Sequence, residues 1–176
     1  HEAHRGDDQE DGDDGENHVG DHAKSVRRGC DRDGGPGANS QVRTPVASPR
    51  MATWILRFDH SGSGPRVAIK DLIDVVGAPT TGACRVLARL AEPAEADAAC
   101  LTGIRAVNGA LVGKTNLHEL ACGGTGINEH FGTPVNPFDS PLIPGGSARG
   151  NAVALANGEV EIAIGTDTAG SIRTPS

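Results

Sequence analysis

The stretch Ile143–Ser176, IPGGSARGNAVALANGEVEIAIGTDTAGSIRTPS, decides how the rest of the chain is read. It carries two serine-bearing glycine turns, Gly145-Gly146-Ser147 and Ala169-Gly170-Ser171. Between them lies an apolar segment with the length of one helix and one strand, read as a helix over 152–157 and a strand over 160–165. Glycine before serine opens backbone angles that other residues resist, so each turn can present a hydroxyl with free N–H groups beside it. Far upstream, Lys70 ends the apolar run Val67-Ala68-Ile69. Two such turns and a lysine on an apolar run suggest a serine hydrolase with lysine as its base. No His/Asp pattern supports the histidine alternative.

Upstream of that stretch, the run at 66–70 reads as a short β-strand, and 77–82 is turn chemistry. The apolar run after Met51, around Trp54, is a further strand candidate. Small and apolar residues at Ala94, Ala98, Leu101, Ile104 and Val107 keep a helical spacing. They predict a helix over 94–108 stopped by Gly109. A buried strand follows over 110–114. Asn116 is placed to cap a short helix through 117–121, with Glu119 at its third position. His118 is then a capping or surface residue and Cys122 a small buried thiol. Residues 122–126 form a glycine-rich loop. Helices alternating with strands predict an α/β class, a sheet covered by helices.

Composition divides the chain at about residue 50. Residues 1–50 hold no Leu, Ile, Phe, Trp or Met, and carry eleven acidic against seven basic side chains. Such a segment cannot bury enough apolar surface to offset its ordering entropy and is expected to be a disordered polar tail. The only methionine, Met51, stands where the composition turns globular, which suggests a start there, with residues 1–50 outside native translation. Scattered ligands such as His1, His4, His18, His22 and the acidic run 11–14 do not make a preorganised site, so no metal is expected. With a net charge of −7 and no basic stripe, direct nucleic-acid binding is not expected. No apolar run approaches the roughly 18 residues of a membrane-spanning helix. The four cysteines lack paired metal spacing and read as reduced thiols of a cytoplasmic protein.

The segments VAIKDLIDVVGAPTT, GALVGKTNLHELACGGTG, FGTPVNP and PGGSARGNAVALANGEVEIAIGTDTAGSIRTP together resemble the amidase signature enzymes, from about Val67 to Ser176. The resemblance implies the N-terminal portion of that fold, a mixed β-sheet core covered by α-helices over 51–176. It further implies amide hydrolysis through a Ser–Ser–Lys relay and an acyl-enzyme, without a cofactor, on a small-molecule amide. Carried over residue by residue, Ser171 is the nucleophile, Ser147 the bridging serine behind a cis Gly146–Ser147 peptide, and Lys70 the base. Backbone N–H groups of Thr168, Ala169 and Gly170, with Ser171, would form the oxyanion hole. Asp167 and Arg173 would brace the turn, and Gly123 and Gly124 would line the acyl pocket. A lysine serves as base only when neutral, so its pKa must fall by about three units from ~10.4.

Two positions depart from the family pattern, Ala148 for a second serine and Arg149 for a small residue. Ala169 stands for a more usual glycine. Family domains continue for a long second half, so the chain is expected to be a fragment. The alternatives are a glutamine-hydrolysing amidotransferase A-type subunit, which needs partner subunits, and a catalytically silent fragment.

Overall fold

The computed structural model describes residues 52–59 and 62–176. The expectations for residues 1–50 and for Met51 lie outside the described residues. Four strands, β1 (Trp54–Arg57), β2 (Arg66–Lys70), β3 (Ala110–Thr115) and β4 (Ile162–Ile164), form one sheet in the order β1-β3-β2-β4. β3 runs antiparallel to β1 and parallel to β2, and β2 runs parallel to β4, so the sheet is mixed.

Apolar residues alternate across β2 because successive side chains leave a strand on opposite faces. Val67 and Ile69 enter one core with Leu56, Ile73, Val75, Leu101 and Leu111. Ala68 enters the other with Trp54, Val112, Ala154 and Val160. After the single-turn helix α1 (Leu87–Leu90), helix α2 (Thr102–Ala106) covers the first face through Ile104, and α3 (Arg149–Ala156) covers the second through Ala154. Strand register decides which side chains reach which face. Val67 pairs with Leu111 but Ala68 pairs with Gly113, so β3 carries one extra residue at Val112. That bulge re-aims everything after it. Lys114 then shares a face with Ile69, and Thr115 shares the α3 face with Lys70.

The helix predicted over 94–108 is a correction. Its first part is non-helical chain with a bend at 95–96, followed by a 3-10 turn at Ala99–Leu101 and α2. The backbone of that first part is already engaged with the segment 74–78. Ala94 N–H donates to the Ala78 carbonyl at 3.0 Å, Ala98 N–H to Asp74 at 3.0 Å, and the Ala94 carbonyl accepts Gly77 N–H at 2.8 Å. Asp97 is held away from helix duty by Val76 N–H at 2.8 Å and by the exposed Arg105 pair at 2.6 Å. Propensity loses to these tertiary hydrogen bonds. The helix stop also differs in detail. Asn108, at φ 53°, takes the left-handed position, with Asn108 N–H on the Arg105 carbonyl and Gly109 N–H on Ile104. This is a Schellman ending with asparagine in the usual glycine place.

The capped helix over 117–121 is absent; only a 3-10 turn, Glu119–Ala121, forms there. Asn116 is fully buried and its amide group is a crosslink, donating to the Ala52 carbonyl at 2.7 Å and to Gly132 at 2.9 Å. Leu120 and Ala121, at φ 52° and 59°, are left-handed and end any helix.

Candidate active site

The site is assembled where β2 ends, α3 begins and the chain leaves β4. Lys70 is the last residue of β2, on the α3 face, and is fully buried at 0% exposure. Its Nζ donates to Ser147 Oγ at 2.8 Å, to Thr166 Oγ1 at 2.9 Å and to the Thr166 carbonyl at 3.2 Å. Burial lowers the pKa of this amine to about 8, against the opposing pull of Asp167. Three partners suit both protonation states. The ammonium donates all three hydrogens; the neutral amine donates two to Thr166 and accepts the Ser147 hydroxyl proton on its lone pair.

Ser147, also fully buried, follows a cis Gly146–Ser147 peptide. Its turn is tied down from three sides. The Ser147 carbonyl accepts His118 N–H at 3.1 Å, and Ala148 N–H donates to the Ser171 carbonyl at 3.0 Å. A Cβ on Gly146 would lie 2.7 Å from the Gly126 nitrogen, so the two glycine segments touch backbone to backbone. Only glycine permits that approach.

The second turn is organised by one carboxylate. Asp167 accepts N–H bonds from Gly170 at 2.8 Å and from Ile172 and Arg173 at 3.1 Å each. The Arg173 guanidinium adds two contacts, at 2.8 and 3.1 Å. These donors, Arg173 first, hold the Asp167 carboxyl far below the usual carboxylate range. Because Gly170 N–H is engaged, the donors without a bonded acceptor among the described residues are those of Thr168, Ala169 and Ser171. Gly170 takes φ 109°, whereas Ala169 is not left-handed, so alanine there meets no backbone conflict. Ser171 Oγ is half-buried and makes no hydrogen bond among the described residues, to Ser147 or otherwise. The structure thus joins Lys70 to Ser147 by side chains, and Ser147 to Ser171 through the neighbouring backbone.

Other expected positions separate. Gly124 faces open space, while Gly123 is overlain by the His118 ring. His118 takes the N-cap position of the Glu119–Ala121 turn without a side-chain cap bond; its ring is half-buried against that glycine, with Nδ1 3.5 Å from Thr125 Oγ1. Cys122, expected to be buried, is exposed, because the left-handed pair before it turns the chain outward. Thr166 was not singled out by the sequence. Its signal is tertiary: Ile69 pairs with Ile164 in parallel register, which brings the residues just beyond both strand ends together.

Arg149 points inward and is fully buried. One N–H, on Nη2, reaches the Gly132 carbonyl at 3.0 Å, while Nε and Nη1 have no partner. Burial lowers its pKa to about 10. No carboxylate pairs with it among the described residues. A buried cation without an anion costs stability, and apolar replacement of similar volume is commonly neutral or favourable. Arg149→Met is expected to raise stability by about 1–2 kcal/mol, read as a higher denaturation midpoint. A midpoint lower than the parent's would show that the guanidinium has a partner in solution.

Comparison with known proteins gives a consistent relationship. The Amidase family model matches residues 63–176. The chain is 42% identical over 113 residues to the A-type subunit of glutamyl-tRNA(Gln) amidotransferase from Halobacterium salinarum, covering 64% of this chain and 26% of that protein. It is equally 42% identical over 113 residues to indoleacetamide hydrolase of Pseudomonas savastanoi, covering 64% and 24%. Among solved structures, the A-type subunit of glutamyl-tRNA(Gln) amidotransferase from Thermotoga maritima superposes with a TM-score of 0.60 at 37% identity, over 66% of this chain and 26% of that one. A 6-aminohexanoate cyclic dimer hydrolase gives 0.61 at 30% identity, over 65% and 25%. The chain spans about a quarter of the length of the curated relatives it matches.

Proposed function

The chain belongs to the amidase family, and from that premise we propose that it carries the catalytic centre of a hydrolase acting on a carboxylic amide. Ser171 is the nucleophile, Ser147 the relay and Lys70 the base. The observation that carries this reading is the fully buried Lys70 amine 2.8 Å from Ser147 Oγ, in a turn tied by backbone to the Ser171 turn. Serine is a weak nucleophile until a neighbour takes its proton. Here the Ser171 proton passes to Ser147, and the Ser147 proton passes to neutral Lys70, as Ser171 Oγ bonds to the amide carbon. The carbonyl electrons move to oxygen, facing the N–H groups of Thr168, Ala169 and Ser171. Each such donor is worth roughly 3 kcal/mol in a transition state. The C–N bond then breaks, the leaving amine takes a proton back through Ser147 from Lys70, and water releases the acid by the reverse path. Asp167 and Arg173 hold the turn, and Gly124 borders the acyl position.

The several amidotransferase A-type subunits among the relatives favour a primary amide such as glutamine, with ammonia as product and partner subunits as its recipients. The three described cysteines are all unpaired thiols, which supports a reducing, cytoplasmic setting.

A serine-directed fluorophosphonate tests the reading. Mass spectrometry is expected to place the adduct on Ser171, with none on Ser171→Ala. With a base whose pKa is about 8, the labelling rate should rise with pH as Lys70 loses its proton. The neutral fraction grows about tenfold from pH 7 to pH 9, and the rate should follow it. A flat profile over that window, or an adduct elsewhere, would sink the assignment.

A further inference from the structure

Directly behind Lys70, on the opposite face of the sheet, lies a second buried lysine that the proposed chemistry does not use. Lys114 and Asp71 are both fully buried and form an ion pair at 2.8 Å. Lys114 Nζ also donates to the Pro79 carbonyl at 2.9 Å and to Thr80 Oγ1 at 2.5 Å. Asp71 Oδ2 accepts Thr81 N–H at 3.1 Å, the Thr81 hydroxyl, and Ala83 N–H at 3.5 Å. Asp71 adjoins Lys70 in sequence, and Lys114 is the register partner of Ile69. The pair therefore staples the end of β2 to β3 and to the turn at 79–83.

We propose that the Asp71–Lys114 pair is a positioning device for Lys70, fixing the strand end that carries the amine while presenting no net charge behind it. The proposal rests on the reading of Lys70 as base. A lone carboxylate at Asp71 would favour the ammonium of Lys70 and withdraw it from proton acceptance; a lone ammonium at Lys114 would act in the opposite sense. With both present, the two fields oppose each other. The other charged group acting on Lys70 is Asp167, itself paired with Arg173, while buried Arg149 of α3 and His118 adjoin the Ser147 turn. The β3 bulge at Val112 is what delivers Lys114 to this face.

The test follows Lys70 by its side-chain carbon resonance in lysine-labelled protein, assigned by comparison with Lys70→Arg. Lys114→Met is expected to raise the Lys70 titration midpoint by about one pH unit, a tenfold loss of neutral amine at fixed pH. Asp71→Asn is expected to move it down or leave it, never up. The double variant Asp71→Asn/Lys114→Met should return it to the parent value, and Lys114→Arg should hold it there. A midpoint in Lys114→Met and Asp71→Asn that stays together with the parent overturns the proposal. Should Lys114→Met not fold, Lys114→Gln, which removes the charge but keeps an N–H donor in the same space, is read instead; an unmoved midpoint there overturns it as well. Failure of the hydrolase reading looks different: no adduct on Ser171, with the Lys70 midpoint still answering to the pair.

Discussion

Lys70→Met is expected to lower amide hydrolysis by about a thousandfold or more, with the fold retained. General-base assistance contributes roughly 10²–10⁴ in rate, and in the proposed relay the same amine also supplies the proton for the leaving group. Methionine keeps an unbranched stem of similar length inside the same fully buried space, so packing around β2 is preserved. What is lost is the proton acceptor 2.8 Å from Ser147 Oγ. Ser147 would keep its backbone tie to His118, and Ala148 its tie to Ser171, so the turn should remain in place while its hydroxyl has nowhere to send a proton. Lys70→Ala should show the same rate loss, with an added stability penalty of about 2 kcal/mol or more for the cavity. Hydrolysis of a simple aryl amide by parent, Lys70→Met and Ser171→Ala, each checked for folding by circular dichroism, gives the comparison. A Lys70→Met rate within tenfold of the parent would remove lysine from the mechanism.

Gly150→Ala is expected to destabilise the protein by about 3 kcal/mol or more, at the upper end of overpacking effects. Gly150 opens α3 directly against the strands. A Cβ there would lie 2.5 Å from the Asn116 carbonyl oxygen, 2.7 Å from that of Thr53 and 2.8 Å from the Asn116 nitrogen. All three are backbone atoms of chain segments at the ends of β1 and β3, so no side-chain rotation relieves the contact. Gly150 N–H also donates to the Asn116 carbonyl at 3.0 Å, a bond that any retreat of the helix would stretch. The retreat would carry Ser147, three residues earlier, away from Lys70. Activity should therefore fall together with stability. Gly103→Ala in α2 is the control, since nothing lies within 4 Å of a Cβ there. It is expected to stabilise by up to about 1 kcal/mol through helix propensity. Thermal denaturation of the two variants separates them; a Gly150→Ala midpoint equal to the parent's would show that α3 does not pack this closely.

Much of the sheet was legible. The strand at 66–70 coincides with β2, and the strand at 110–114 lies within β3, because short apolar runs bounded by turn residues leave little choice of span. The helix after Ser147 was legible too, although α3 starts at Arg149, three residues before the predicted 152. Its first turn contains a glycine and an asparagine, both of which disfavour helix by propensity. The predicted helix over 94–108 failed for the opposite reason. Its spacing was right, but Ala94 and Ala98 spend their N–H groups on the 74–78 segment. Asn116 misled in the same way, since a capping residue and a buried amide crosslink have the same chemistry and differ only in what lies opposite.

By itself, the sequence determined which residue types the site has to work with: two serines on glycine turns, and a lysine after an apolar run compatible with its burial. It also determined the α/β class, since periodicity and turn residues are local properties. Only the three-dimensional structure decided that Thr166 joins Ser147 as a partner of Lys70, and that Gly170 N–H belongs to Asp167. It alone brought Asp71 and Lys114 together behind Lys70. Thr166 arrives through the register of β2 with β4, and Lys114 through the single extra residue at Val112 in β3. A bulge flips the faces of every following side chain while leaving no mark in composition or spacing.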